Sequence, residues 1–281
     1  MYKILNYLMR NIYFFIYDIN YFFKSFSKKK NYILFVPRLL SILIKKVLIF
    51  DKKKLSFFFQ KIRNNYDLLT VYEIFQEEFY NLDNFEQSKF IKNYYQMILK
   101  NKKKPLIIDC GANIGSSSIY FRKIYKDSFI VSIDPELNNF SLLKNNFIDK
   151  NSEIINKAIS CDGKNYFLNY SNDPRGFKIE KNSIFSQTES LTVDNILEKH
   201  NEKCLPFIIK IDIEGFEENL FSTNYNWLSN FPIIIIEIHD WLIPGKNNSK
   251  NFLKSLNEIS GGNCKRDLII SGENLISIKI E

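Results

Sequence analysis

Two short blocks gather acidic residues where the chain leaves an apolar run. Asp212 and Glu214 follow Ile208–Ile211, and Glu237 and His239 follow Ile233–Ile236. In a strand the two-residue period would turn each pair toward one side. Carboxylates at the end of a buried strand are costly unless they meet protons, cations or hydroxyls. Open α/β sheets take their ligands at that carboxyl edge. The four residues can therefore converge on one substrate, with Asp212 central and His239, whose ordinary pKa is about 6.5, as a second proton acceptor. Asp212, Glu237 and His239 also offer enough ligands for a divalent cation, so metal dependence stays open. Each has a structural alternative: Glu214 as a partner of Lys210 or a cap of the next helix, and Glu237 as a residue that only positions a loop.

A second set of residues stands upstream. Lys104–Asp109 (KPLIID) is a short apolar run opened by a proline, as in a buried parallel strand. It leads into CGANIG at 110–115 and then SSSIYFRKIY, which has helical apolar spacing. A further apolar run, FIVSI, ends at Asp134 about 20 residues after the glycine turn, where a carboxylate can hold a ribose diol. This strand–turn–helix–strand–acid order predicts a doubly wound, mostly parallel α/β sheet with a nucleoside-type cofactor. The turn lacks both a full G-x-G-x-x-G and the lysine and Ser/Thr of a triphosphate loop. A cofactor without phosphates, such as S-adenosylmethionine, suits it better. Asp109 can bond loop amides or a cofactor ammonium group, while Gly111 and Gly115 allow the tight turn and close approach.

Five ordered blocks, DCGANIGSSS (109–118), SIDPE (132–136), LTVD (191–194), IIKIDIEGFEENLF (208–221) and IIIIEIH (233–239), resemble the FkbM-type S-adenosylmethionine-dependent methyltransferases over about residues 75–281. The resemblance implies a class I methyltransferase fold. It also implies that Asp109, Gly111 and Gly115 line the methionine side, that Asn113 of the same turn contacts the cofactor, and that Asp134, usually glutamate in the family, binds the ribose. Ser160 and Asp162, in the turn after a strand expected at 153–159, would lie beside the adenine; Asp162 reads equally as a surface turn acid. Family members acting on sugars and macrolides imply O-methylation of a hydroxyl in a glycan, glycolipid or related metabolite. The alternatives are methylation of nitrogen or nucleic acid, and a catalytically inactive cofactor-binding scaffold. The [ND]-P-P-[YF] arrangement of amino-group methylation is absent. Residues 164–190 mix strand and turn signals and form a candidate acceptor flap, with Arg175 and, beyond the last acidic block, Trp241 as candidate acceptor contacts.

The elements that must carry these residues include a helix over 85–100 burying Phe90, Tyr94, Met97 and Ile98. Another spans 137–147 and packs Leu143 and Phe147, a third lies near 249–259, and closing strands fall near 267–270 and 274–280. Residues 1–74 read as a separate basic, aromatic-rich helical region before a catalytic domain at 75–281. Of the net charge of +8, residues 1–54 carry +10 through 12 Lys or Arg and two acids. Residues 4–26 form an apolar stripe interrupted by Arg10 and Asp18. Its uncharged run is shorter than the roughly 20 residues of a bilayer span, and no small-residue cleavage site follows. A second stretch, 32–50, opens a helix at Pro37. Such segments suit peripheral contact with the inner face of a membrane by a cytoplasmic protein, or packing on the catalytic domain or on a second copy in a homo-oligomer. The charge matches no nucleic-acid-binding pattern. Four scattered cysteines imply buried thiols in a reduced compartment, without disulfides or zinc.

Overall fold

The computed structural model describes residues 16, 19–20, 23, 30–34, 38–170, 177–180, 187–237, 248–262 and 265–280. The chain divides into two compact units, residues 1–80 and 81–281.

In the first unit β1 (Tyr32–Leu34), β2 (Lys46–Asp51) and β3 (Ser56–Lys61) form an antiparallel sheet in that order. Helices α1 (Arg38–Ile44) and α2 (Asn65–Val71) accompany it. Among its described residues the region expected to be helical thus combines helices with a sheet. Helix α1 does follow Pro37, but the apolar run beyond Lys45 becomes a strand. Val47, Ile49 and Asp51 are buried while Lys46 is exposed and Leu48 and Phe50 lie half-buried between them. A run of β-branched and aromatic residues can satisfy either period, and here the cross-strand partners on β3 decide. Glu78 ties the sheet's first strand down, accepting from the Tyr32 amide at 3.2 Å.

The second unit is built on a seven-stranded sheet. Its strands are β4 (Lys104–Cys110), β5 (Phe129–Ile133), β6 (Ser152–Ile155), β12 (Cys204–Ile211), β13 (Ile233–Glu237), β14 (Arg266–Ser271) and β15 (Asn274–Lys279). Their spatial order is β14-β15-β13-β12-β4-β5-β6. The strands from β13 to β6 are parallel, and β15 and β14 close the sheet antiparallel. The chain order runs outward in both directions from β4, so the switch point lies between β4 and β12, where ligands enter such sheets. Helices α3 (Ser88–Lys100), α4 (Ser116–Ile124), α5 (Leu137–Asn146), α6 (Val193–His200) and α8 (Asn248–Ile259) accompany the strands, with a short turn α7 (Glu217–Leu220). Isoleucines 233–236 are all buried, as a strand covered on both faces requires.

Two local expectations change, and a third is met. Helix α3 buries Ile91, Tyr95 and Ile98, while Met97 is exposed. The face is rotated from the expected one: Tyr95 packs against Phe207 of β12 with ring centroids 5.4 Å apart, while Tyr94 stacks on the same ring from farther out, at 6.4 Å. The strand expected over 153–159 breaks in two. Asn156 turns its amide onto the carbonyls of Asp134 (2.9 Å) and Pro135 (3.0 Å), which ends β6. The chain resumes as β7 (Ala158–Ile159), paired in parallel with β11 (Ser190–Leu191) outside the main sheet. The expected flap contains a small antiparallel sheet in which β8 (Tyr166–Tyr170) pairs with β9 (Phe177–Glu180) and β10 (Gln187–Thr188).

One ionic cluster crosses the centre of the sheet. Lys210 of β12 and Asp109 of β4 are register partners, and both are buried. Lys210 Nζ lies 3.5 Å from Asp109 Oδ1, donates to the Gly111 carbonyl at 2.8 Å, and reaches Asp212 Oδ2 at 3.1 Å. The other Asp109 oxygen accepts from the Ser117 and Ser118 hydroxyls, both at 2.6 Å. The serine run that opens α4 thus stands in for water around a buried carboxylate. Removing one member strands the opposite charge, which costs about 3–5 kcal/mol where a buried pair is broken. Lys210→Met is expected to lose stability in this range, and Lys210→Met with Asp109→Asn to recover a large part of it, as read by urea unfolding.

Gly111 adds a steric constraint. Its φ is +76°, and a Cβ placed there would lie 1.7 Å from the Asp212 carbonyl oxygen. Gly262, at φ +79°, has nothing within 4 Å of such a Cβ. Alanine at 262 should therefore cost only the strain of a left-handed residue, about 1–2 kcal/mol. Gly111→Ala is expected to lower the melting temperature much further, since two backbone segments must separate.

Candidate functional site

A cleft opens at the carboxyl ends of β4, β5 and β12. It is lined by the glycine turn (Gly111, Asn113), the end of β5 (Ile133, Asp134, Pro135), Asn139 of α5, Lys157–Ile159, and Asp212–Glu214. Its empty space, open to solvent at the mouth, is about 540 Å³. Five of the expected residues meet here: Gly111, Asn113, Asp134, Asp212 and Glu214. The strand β12 ends at Ile211, so strand alternation does not bring the last two together. A turn does, with Glu214 at φ +54° and Gly215 at +89°.

Asp134 is the most constrained of these groups. It is almost fully buried, and its oxygens accept the amides of Asn113 (2.8 Å) and Glu136 (3.0 Å). Burial pushes its carboxyl up to about 6, against the downward pull of those two amides and the Asn139 side chain, with Glu136 adding repulsion. Asn113 reaches Asp134 from a left-handed backbone at φ +48°, a conformation asparagine tolerates. Glu136 caps α5 by accepting from the Asn139 amide at 2.6 Å. Each carboxylate oxygen can accept two hydrogen bonds, so Asp134 retains capacity for the hydroxyls of a diol. Ile133, Pro135, Ala158, Ile159 and Ile213 give the cleft apolar walls, with Asn139 and Lys157 as polar groups among them. This combination fits an adenosine: acceptors for the ribose, and an apolar slot for a flat base.

The other expected residues stand elsewhere. Asp109 does not line the cleft but lies beneath its glycine turn, in the ionic cluster with Lys210. Gly115 begins α4 at φ +87°, where an added Cβ would come within 2.8 Å of Leu143 Cδ1, so it serves helix packing. Ser160 is buried and bonds Ser190 Oγ at 2.7 Å. Asp162 accepts from Tyr166 Oη at 2.8 Å and from the Lys164 amide at 3.1 Å. Partial burial would raise its carboxyl, but these two donors and the Lys164 ammonium hold it below the usual range. Neither residue lines the cleft. Glu237 ends β13 opposite Asn274, also outside the lining. Arg175, His239 and Trp241 lie outside the described residues. Among the described residues no three of His, Cys, Asp or Glu gather closely enough to hold a metal ion.

Sequence reasoning missed Pro135, Asn139, Lys157 and Ile159. Pro135 and Asn139 flank the acid that was singled out, and that proximity was an available signal. Lys157 and Ile159 sit at the break between β6 and β7, which an apparently continuous strand pattern concealed. Cys110 is buried beside Asp109, and burial followed by that neighbouring charge drives its thiol upward, away from the nucleophilic thiolate. Cys161 and Cys204 are likewise buried and free.

The profile of the methyltransferase FkbM domain matches residues 109–258, more than half of the chain. Solved structures similar to this chain include methyltransferase FkbM from Methylobacillus flagellatus KT (16% identity, 62% of this chain and 43% of that one, TM-score 0.42). Another is an O-methyltransferase from Bacillus cereus in complex with SAH (14% identity, 75% and 91%, TM-score 0.36). A putative caffeoyl-CoA O-methyltransferase from Staphylococcus aureus shares 17% identity over 68% and 83%, with a TM-score of 0.35. The chain spans less than half of the length of the Methylobacillus protein. No curated protein matches. With its glycine turn, Asp134 and the KIDIEG loop all inside the matched span, the chain belongs to the methyltransferase FkbM domain family.

Proposed function

We propose that this protein is an S-adenosylmethionine-dependent O-methyltransferase whose acceptor is a hydroxyl of a sugar, in a glycan, glycolipid or related metabolite. The observation that carries the reading is a single cleft holding a buried acceptor, Asp134, together with the two acids Asp212 and Glu214. Asp134 would take the ribose hydroxyls, and Ile133, Pro135, Ala158 and Ile159 would flank the base. When bound, S-adenosylmethionine supplies an activated methyl group on sulfur. The chain's own task is then to orient an alcohol and remove its proton.

Asp212 is suited to that task by position. It lines the cleft about a quarter exposed, and Lys210 grips one of its oxygens while also gripping the Gly111 carbonyl. One cation therefore spaces the acceptor side against the glycine turn. Asp212 would hold the acceptor hydroxyl and receive its proton, with Glu214 lining the same side. A sugar presents several hydroxyls in fixed relation, which suits a pair of carboxylate acceptors. His239 and Trp241 follow β13 and remain candidate acceptor-side groups, as does Arg175. A divalent cation is not required for methyl transfer to an alcohol, and no step is assigned to one.

Calorimetry with S-adenosylhomocysteine tests the donor half. Asp134→Asn, which replaces two acceptors with one acceptor and a donor facing amide N–H groups, should weaken binding by at least about tenfold, the loss of roughly one charged hydrogen bond. The pH dependence has a definite sign. Ionised Asp134 offers the ribose hydroxyls an acceptor at both oxygens, and protonation turns one of them into a donor, so affinity should hold above pH about 6 and fall below it, approaching one proton per site. For the free protein the same raised carboxyl acts oppositely. Its folded form prefers the proton, so this group's penalty on stability is absent below the ordinary carboxylate range and complete above about 6. Flat affinity from pH 5 to 8 in the wild type would remove Asp134 from the cofactor site. The acceptor half is tested by transfer of labelled methyl from S-adenosylmethionine into glycan fractions, with mass analysis of the product. Asp212→Asn should keep cofactor binding and lose at least about a hundredfold in transfer, the scale of a general base; near-normal turnover would overturn its role.

A further inference from the structure

The hairpin of β2 and β3 in the first unit carries a surface that methyl transfer does not use. Its register pairs Lys46 with Lys61, Leu48 with Phe59 and Phe50 with Phe57. Strand alternation places these three rows on one face and Val47, Ile49, Asp51, Phe58 and Gln60 on the other. The second face is the inner one: Val47, Ile49 and Gln60 are fully buried, and Phe58 stacks edge-on against Tyr32 and Phe75. The first face looks outward, yet it is aromatic. Phe57 is 51% exposed, Phe59 62%, and Leu55 at the turn 80%. Antiparallel sheets with a solvated face normally show polar residues there. The Phe50 and Phe57 rings, with centroids 4.8 Å apart, make the ridge continuous across both strands.

Lysines frame this ridge at both ends. Lys46 and Lys61 close one end, and Lys52, Lys53 and Lys54 form the turn at the other. The hairpin's one acid, Asp51, is buried and accepts the Lys54 amide at 3.1 Å, with Lys54 Nζ at 3.9 Å. The exposed charge is accordingly of one sign. Aromatic and aliphatic groups ringed by lysine are the composition that settles in the headgroup zone of a bilayer, with the ammonium groups at lipid phosphates.

We infer that the outer face of this hairpin docks on an anionic lipid bilayer, with Leu55, Phe57 and Phe59 entering the headgroup zone. Charge selects this occupant. A second copy of the chain would bring the same five lysines against themselves. Residues 1–29 of the chain carry five basic residues and one acid, and would also meet like charge. No helix among the described residues is long and apolar enough to cross a membrane, so the contact is peripheral. The inference is independent of the cleft's chemistry.

Sedimentation of the full chain with large vesicles tests it, using phosphatidylcholine alone and an equal mixture with phosphatidylglycerol. Binding is expected only to the mixture, weakening as salt rises. Phe59→Glu and Leu55→Glu should each reduce binding by about tenfold or more, and so should the triple change of Lys52, Lys53 and Lys54 to Gln. Melting temperature and S-adenosylhomocysteine affinity should stay unchanged. Absence of binding to the mixed vesicles would overturn the inference, and so would equal binding by wild type and all three variants, which would put the contact elsewhere in the chain. A sharp fall in melting temperature with Phe59→Glu, without loss of vesicle binding by Leu55→Glu, would show the face to be covered by protein and would also overturn it.

Discussion

A cation in the middle of a parallel sheet is the constraint around which the second unit is arranged. Lys210 lies on β12 between isoleucines, where desolvation would expel a lone ammonium group. It is retained because Asp109, Asp212 and the Gly111 carbonyl all converge on it. Asp109 in turn needs the hydroxyls of Ser117 and Ser118, the second of which also bonds Ser132 of β5. Three strand ends and the first turn of α4 are thereby joined by one polar network. Such networks specify geometry more than they add stability, because their parts are worth little unless all are present. The geometry they specify here is the floor of the cleft, with the glycine turn and the acidic loop held a fixed distance apart.

The same logic separates the surroundings of two acids that line the cleft. Among the described residues Asp134 has amides and no cation against it, and it is buried; its proton affinity rises. Asp212 has Lys210 at one oxygen and faces the cleft. Under the proposed function the first would accept hydrogen bonds from a neutral diol, and the second would act beside an arriving alcohol. The aromatic outer face of the β2–β3 hairpin belongs to a different economy of the molecule. It lies in the other compact unit, and nothing in the cleft's chemistry requires it.

Much of the second unit was legible in the residues, because each signal was local. Proline-opened apolar runs gave β4 and β13, whose burial on both faces needs no partner to be guessed. The glycine turn followed by a helix and a strand-ending acid placed Gly111, Asn113 and Asp134 together. Asp212 and Glu214 both line the cleft, and a left-handed turn at Glu214–Gly215, not the strand alternation their spacing suggests, brings them there. The first unit was less legible. Its apolar stretches suit a helix and a strand about equally, and only pairing between β2 and β3 separates them.

What the sequence determined by itself was therefore the fold class, the order of the blocks and the residue types at the carboxyl edge of the sheet, since these depend on periodicity and on turn residues near in the chain. What only the tertiary structure decided was which polar groups face the cleft and which lie beneath it. Asp109, Ser160 and Asp162 look like ligands in the chain, yet they bond Lys210, Ser190 and Tyr166. Lys157 and Ile159 look like strand residues, yet they line the cleft. The reason is physical. A buried polar group must find its partner somewhere, and the partner is set by contacts between segments as much as about a hundred residues apart, as with Asp109 and Lys210, which no local pattern encodes.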